Sequence, residues 1–222
     1  MPRPRGKFIT FEGLDGVGKS TQLENLAGWL RERGLDVITT REPGGTALGQ
    51  NLRAVLLSSR TAGLSPLAEM ALMFADRAQH IEEQILPSLQ RGQWVLCDRF
   101  TDSSEAYQGC GRQLGQAAVL QLHKILCGDL KPDLTILMTV DLDHSIKRAR
   151  KRNREQSKLS AEDENRFEQE NRAFHQRVLE GFLAIAEREP ERVIKIDASD
   201  PPTVVQTRIA SVVEARFALA KK

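Results

Sequence analysis

The segment 13–20, Gly-Leu-Asp-Gly-Val-Gly-Lys-Ser, constrains the fold of this chain more than any other part of its sequence. Its pattern is G-x-x-x-x-G-K-[ST], and it follows an apolar run at 8–11 that has the length of a strand. Apolar residues then recur at helical spacing, and Gly34 stands where such a helix would end. A loop of this kind between a strand and a helix predicts a phosphate site formed by backbone N–H groups at the helix N-terminus.

Two side chains of this loop have predicted roles beyond those of its backbone. Lys19 is expected to reach the β- and γ-phosphates of ATP, and the hydroxyl of Ser20 is expected to ligate Mg²⁺. The predicted ATP-binding residues are Gly13, Leu14, Asp15, Gly16, Val17, Gly18, Lys19, Ser20 and Thr21.

Five short runs rich in β-branched or aromatic residues predict strands, and they lie at 8–11, 37–40, 94–97, 134–140 and 193–196. Stretches with helical spacing separate them, including a long one at 67–89 with Pro66 at its first turn and Pro87 near its end. Strands that alternate with helices indicate right-handed βαβ units. We therefore expect an α/β protein with the P-loop NTPase fold, in which helices flank a five-stranded parallel sheet and ligands bind beyond the carboxyl ends of the strands.

Length and composition narrow the class of protein. A chain of 222 residues fits one domain, and a net charge of +2 argues against a dedicated nucleic-acid binder. The three cysteines lack C-x-x-C spacing, which argues against a disulfide framework or a zinc site. No apolar run approaches the roughly 20 residues that span a bilayer. The expectation is a cytoplasmic protein with no nucleic-acid or membrane partner.

The strand predicted at 94–97 leads into Asp98 and Arg99. A carboxylate at the end of a buried strand is placed to hold Mg²⁺ in phosphate-loop enzymes. Arg99 could bind an acceptor phosphate, because a guanidinium pairs with phosphate through two hydrogen bonds. The alternative is a helix-capping aspartate beside a solvated arginine.

Two other segments also follow predicted strands. The segment 41–46, Arg-Glu-Pro-Gly-Gly-Thr, has turn chemistry, but its arginine and glutamate stand where a binding site is expected. The basic run 147–154 predicts either a solvated helix face, a nucleic-acid patch or a lid over the phosphates. We favour a mobile lid at about 148–166, since phosphoryl transfer requires positive charge and exclusion of water.

Together these motifs resemble the thymidylate kinase family, whose members phosphorylate dTMP to dTDP with ATP and Mg²⁺. The resemblance covers about residues 7–200, and it is carried by the segments 11–21, 40–46, 72–77, 97–99, 104–109 and 131–135. It also implies a homodimer. The alternatives are a related P-loop kinase for another nucleotide or deoxynucleoside, and a nucleotide-dependent switch or DNA-associated ATPase.

The resemblance implies roles for individual residues on the dTMP side. Phe74 would stack on the thymine ring, although simple core packing is its rival. Arg77 would donate to a base carbonyl, with Ser104 and Gln108 completing recognition of the base edge. The residues implied for the sugar and phosphate are Asp15 at the 3′-hydroxyl, Tyr107 against the sugar, and Arg99 with Arg41 and Arg53 at the phosphate, where Arg53 also has the spacing of an exposed helix face.

The phosphate loop has Gly16 where some members of the family have an arginine. In the branch without that arginine, an arginine of the lid supplies the catalytic charge. The candidates are Arg150, Arg152 and Arg154, and the sequence does not choose among them. With them, the expected catalytic residues are Lys19, Asp98 and Arg99.

Overall fold

The computed structural model describes residues 4–61, 63–156 and 166–219, except for the side chains of 152 and 154–156. Its strands are Phe8–Glu12 (β1), Val37–Arg41 (β2), Trp94–Asp98 (β3), Leu134–Thr139 (β4) and Val193–Asp197 (β5). They form one parallel sheet in the order β2-β3-β1-β4-β5. The predicted five-stranded parallel sheet is confirmed.

The helices lie on both faces of this sheet. Their bounds are Lys19–Glu32 (α1), Ala47–Leu57 (α2), Pro66–His80 (α3), Leu86–Gln90 (α4), Thr101–Ser104 (α5), Gln116–Cys127 (α6), Leu142–Gln156 (α7), Arg172–Arg188 (α8) and Pro202–Phe217 (α9). A 3₁₀ turn at Ser59–Thr61 and π-helical segments at Ile81–Ile85 and Glu105–Gly111 complete the helical structure of the described ranges. None of these helices is long and apolar enough to cross a membrane.

The long helical pattern predicted at 67–89 is divided in the structure. Helix α3 ends at His80, the π-helical turn Ile81–Ile85 follows, and α4 continues to Gln90. Pro87 lacks an N–H group, and in an α-helix its ring would clash with the carbonyl four residues earlier. The wider π-helical turn immediately before Pro87 accommodates it without ending the helical path.

The core has two parts because successive residues of a strand point to opposite faces of the sheet. Ile9 and Leu96 belong to a cluster that also contains residues of α1, α8 and α9. Phe8 and Val95 belong to a second cluster with residues of α3 and α6. Burial on both faces is typical of a parallel sheet.

The sheet order and register determine which strand ends lie together. Strand β1 lies between β3 and β4, and Phe11 is paired with Asp98. Arg41 at the end of β2 is paired with the same Asp98. The loop after β1, the segment after β2 and the carboxylate after β3 therefore meet at one edge of the sheet, where ligands bind in open α/β folds.

Candidate active site

The phosphate loop turns tightly into α1. Gly18 caps the helix in the left-handed conformation, with φ of 97°. Gly16 has φ of 83°, and a Cβ atom added there would lie 2.7 Å from the Ser145 carbonyl oxygen and 2.8 Å from the Ala149 nitrogen of α7. Helix α7 therefore occupies the space that a side chain at position 16 would need. An arginine at position 16 would therefore require α7 to lie farther from the phosphate loop.

Lys19 is buried inside this loop. Its Nζ donates to the carbonyl oxygens of Gly13 at 3.1 Å and Leu14 at 2.9 Å. These bonds hold the ammonium group within the curve of the loop, where the backbone N–H groups of a phosphate site converge.

Ser20 and Asp98 form the candidate metal site. The Ser20 hydroxyl donates to Asp98 Oδ2 at 2.6 Å, which brings together the two oxygens predicted to hold Mg²⁺. The other carboxylate oxygen, Oδ1, is buried and has no hydrogen-bond partner in the part of the chain that the structure describes. Hydroxyl and carboxylate oxygens are the ligands that Mg²⁺ prefers, so the residues fit this ion.

Arg99 lies between the phosphate loop and the π-helical segment Glu105–Gly111. Its Nη2 donates to Asp15 Oδ1 at 2.9 Å, its Nη1 donates to Ser103 Oγ at 2.9 Å, and its guanidinium lies 5.0 Å from the centre of the Tyr107 ring. Burial acts to lower the pKa of Arg99, but Tyr107, Asp15 and nearby carboxylates raise it, and the net pKa lies above its ordinary value. The group stays a cation that can bind a phosphate.

Arg77 anchors the opposite wall and is only 2% exposed. Its Nε donates to Glu42 Oε2 at 2.7 Å, and its Nη2 donates to the Phe100 carbonyl at 3.1 Å and to Ser104 Oγ at 3.0 Å. Its Nη1 has no hydrogen-bond partner among the described residues. A held guanidinium with one unpaired donor suits a ligand carbonyl.

Glu42 was noted in the sequence but given no role. Its Oε1 accepts a hydrogen bond from His80 Nδ1 at 2.9 Å, and the bond to Pro43 that follows it is cis. Burial acts to raise the pKa of Glu42, but the charge of Arg77 and the bond to His80 outweigh it, and the net pKa is lowered. An ionised Glu42 therefore fixes Arg77 in place.

These groups line one cavity of about 730 Å³, a volume within the usual range of small-molecule and cofactor sites. The predicted residues that line it are Asp15, Gly16, Gly18, Lys19, Ser20, Thr21, Arg41, Arg53, Arg77, Asp98, Arg99, Ser104, Tyr107 and Gln108. Gly13, Leu14 and Val17 lie in the buried base of the loop instead. Arg53 lines the cavity and does not lie on a fully exposed helix face. Its Nη1 also donates to the Pro43 carbonyl at 3.0 Å.

Phe74 does not line this cavity. Its ring is 0% exposed and packs in the second core cluster, whereas the preceding residue, Met73, lines the cavity. Consecutive residues of a helix point about 100° apart, and here Met73 points to the cavity while Phe74 points into the core. The structure therefore shows Phe74 packed in the core, as its alternative interpretation had it, and stacking of Phe74 on the base stays a prediction.

Of the three candidate arginines on α7, the structure describes the side chain of Arg150 alone. Arg148, Lys151 and Asn153 line the cavity, whereas Arg150 is exposed and is not among the described lining residues. Residues 148 and 151 share a helix face, and residue 150 points away from it. The side chains of Arg152 and Arg154 lie outside the described residues.

Several further lining residues were not predicted, among them Asp76, Phe167 and Glu168. Phe167 and Glu168 follow the proposed lid, and no local motif marked them. Asp76 lies beside Arg77 in the sequence, and its Oδ1 accepts from the Gly44 N–H at 3.0 Å. Burial raises the pKa of Asp76 to about 6. Asp76 lies within the motif 72–77, and this position in the sequence could have marked it as a site residue.

The fold and cavity define a P-loop protein with a nucleotide-phosphate site joined to a second, arginine-lined ligand site. Residues 11–209 match the model of the family described as thymidylate kinase. The chain therefore belongs to the thymidylate kinase family.

Individual relatives agree with this assignment. A thymidylate kinase of Desulfovibrio desulfuricans is 50% identical over 208 residues, which cover 94% of this chain and 95% of the relative. One of Alkalilimnicola ehrlichii is 46% identical over 205 residues, covering 92% of this chain and 91% of the relative. The crystal structure of thymidylate kinase from Ehrlichia chaffeensis superposes with a TM-score of 0.74 at 33% identity, covering 95% of this chain and 99% of that one.

Proposed function

We propose that this chain transfers the γ-phosphoryl group of ATP to dTMP, giving dTDP for the supply of DNA precursors. The observation that carries the proposal is the single cavity that joins the phosphate loop to the Arg77 wall. The family, whose members are named for thymidylate phosphorylation, supports dTMP as the acceptor.

The nucleotide half of the site would hold ATP through the loop backbone and Lys19. Ser20 and Asp98 would hold Mg²⁺, whose chemistry when bound is to neutralise charge on the phosphate oxygens. The support for this metal site is the 2.6 Å contact between the two side chains and the unpartnered Oδ1 of Asp98 within the described ranges.

The acceptor half would hold dTMP. Arg99, Arg41 and Arg53 would bind its phosphate, since all three line the cavity near the strand ends. Asp15 would accept from the sugar 3′-hydroxyl, and its hydrogen bond from Tyr107 at 3.3 Å supports that orientation. The base would lie against Met73, with its polar edge facing Arg77, Ser104 and Gln108.

The chemistry would need positioning and charge more than proton transfer. A phosphate oxygen of dTMP is already ionised at neutral pH, so it attacks the γ-phosphorus in line without a strong general base. Lys19 and basic residues of α7 would stabilise the charge on the equatorial oxygens. Arg148 and Lys151 are the supported members of that set, because they line the cavity.

Three wider features belong to the same proposal. The chain would act as one domain with a lid at about 148–166, and it would work in the cytoplasm, where its three free thiols are stable. It would form a homodimer through α3 and α6, which pack on each other. Exposed Leu67 on α3, at 65%, and Ile125 on α6, at 75%, supply apolar surface for that contact.

A coupled assay of ADP formation tests the function. ATP turnover should be stimulated by dTMP far more than by dCMP, dGMP or thymidine, with dUMP as the near analogue. Lys19→Ala should lower turnover by roughly a thousandfold, by analogy with other charge clamps on the transferred group. The proposal fails if dTMP gives no stimulation, and a response to thymidine alone would indicate a nucleoside kinase.

A further inference from the structure

Glu69 on α3 is a fully buried carboxylate, 0% exposed, that does not line the cavity. Its oxygens accept from Gln108 Nε2 at 2.8 Å, from Arg112 Nε at 3.1 Å and from Arg166 Nη1 at 2.7 Å. A buried carboxylate with two guanidinium partners is compensated in charge. Its third partner, Gln108, is the only one of the three that belongs to the cavity wall.

The bond to Glu69 fixes which end of the Gln108 amide faces the cavity. A carboxylate paired with guanidinium groups only accepts hydrogen bonds, so the amide must turn its nitrogen toward Glu69. The amide carbonyl oxygen is then the polar atom that Gln108 presents to the cavity. Rotation of the amide would place two acceptors against each other in a buried site, which is costly.

Arg77 presents the complementary atom. Glu42 holds its Nε, and its Nη1 has no partner within the described part of the chain. The wall therefore offers one donor and one acceptor, each fixed from behind by a buried glutamate. Thymine and uracil match this pattern, because a carbonyl acceptor adjoins an N–H donor on their edge. Cytosine has the reverse, an amino donor beside a ring-nitrogen acceptor.

We propose that Glu69 is a positioning residue for base selectivity, which holds the Gln108 amide so that the site accepts an imide edge and rejects cytosine. This inference rests on the proposed function, since it concerns the base of the same acceptor. The arrangement also joins the base wall to Arg166, at the C-terminal end of the proposed lid. Arg166 donates through Nε to the Leu56 carbonyl at 2.6 Å, and the next residue, Phe167, packs edge-on against Tyr107.

The test is the variant Glu69→Gln, measured as the ratio of kcat/KM for dTMP to kcat/KM for dCMP. A glutamine can donate as well as accept, so the Gln108 amide is free to rotate. The ratio should fall roughly tenfold to a hundredfold, the effect of one hydrogen bond mismatched or restored in a buried site. The change should lie mainly in KM for dTMP, with kcat affected little. The remaining donor of Arg77 should keep dTMP the better substrate.

Arg112→Gln is the matched control, because it removes one ion pair of Glu69 and leaves the bond to Gln108 in place. A merely structural role of Glu69 predicts that both variants lower activity on both substrates without changing the ratio, and that result would overturn the inference. The double variant Glu69→Gln with Gln108→Ala should have the same ratio as Gln108→Ala alone. An additional loss in the double variant would also contradict action through Gln108.

Glu69→Asp provides a second measurement if the glutamine variant does not fold. It keeps a charge for the two arginines but withdraws the carboxylate from Gln108 by one methylene group. An intermediate ratio is expected, and an unchanged ratio would overturn the inference. Wild-type protein without dTMP activity would instead overturn the proposed function, so the two failures are distinguishable.

Discussion

Gly16→Ala should lower both stability and turnover, because the backbone conformation at position 16 disfavours a side chain and backbone atoms of α7 occupy the space for one. Its φ of 83° lies in the left-handed region, which costs a residue with a Cβ roughly 1–2 kcal/mol. The new Cβ would also lie 2.7 Å from the Ser145 oxygen and 2.8 Å from the Ala149 nitrogen. Overpacking of this kind costs about 1–3 kcal/mol. The free energy of unfolding should therefore fall by roughly 2–5 kcal/mol.

The same clash should also lower the rate of phosphoryl transfer, because it displaces α7. Relief of the contact requires α7 to move, and α7 carries Arg148 and Lys151 on the cavity wall. A displacement of about 1 Å in a positioning group can cost a hundredfold in rate. We expect kcat for dTMP phosphorylation to fall by roughly that factor, with a smaller change in KM for ATP.

Gly34→Ala is the matched control for the backbone term. Gly34 has φ of 80°, nearly that of Gly16, and a Cβ there would meet nothing within 4 Å. It should lose only about 1–2 kcal/mol and keep its turnover. Denaturant unfolding gives the free energies, and the coupled assay gives kcat. Equal losses of stability in the two variants, with normal turnover in both, would refute a close contact between the loop and α7.

The remaining predictions concern residues in the cavity wall or buried directly behind it, including Glu12, which accepts a hydrogen bond from the lining residue Ser103. Burial raises the pKa of Glu12 to about 8, so between about pH 4.5 and 8 the folded chain holds a proton at Glu12 that the unfolded chain has released. Stability from this group therefore falls as pH rises, and the difference in unfolding free energy between wild type and Glu12→Gln should change by about 1.4 kcal/mol per pH unit in that window. A difference that stays constant with pH would contradict a raised pKa. Phe74→Ala should cost about 3–5 kcal/mol of stability as a core deletion, whereas Met73→Ala should mainly raise KM for dTMP. The opposite pattern, read from unfolding curves and steady-state kinetics, would return Phe74 to the base site.

Local patterns predicted most of the fold. The five strands were visible because buried parallel strands are short, apolar and β-branched, and the phosphate loop fixed where the first strand ends. The site side of the sheet then followed from topology alone, because the carboxyl ends of parallel strands share one edge. This argument predicted that Asp98 lies at the site. Asp98 is paired with Arg41 in the register of β2 and β3, so the two residues lie at the same edge of the sheet.

Side-chain direction was not available from the same patterns. Phe74 and Met73 are neighbours on one helix, and only the rotation of α3 against the sheet decides which of them faces the cavity. The same cause applies on α7, where Arg148 lines the cavity and Arg150 is not among the described lining residues. Glu69 was invisible for a different reason, since its partners Gln108 and Arg166 lie 39 and 97 residues away in the sequence. Only tertiary packing brings them together.

The net charge of +2 shows why a sum of charges says little about a site like this one. Within the described ranges, five arginines line the cavity, and they come from five different segments: Arg41, Arg53, Arg77, Arg99 and Arg148. At least two are paired with carboxylates, Arg77 with Glu42 at 2.7 Å and Arg99 with Asp15 at 2.9 Å. These carboxylates reduce the total charge but hold the guanidinium groups in fixed orientations. A ligand then meets donors that are already ordered, so less binding free energy is lost in immobilising long side chains.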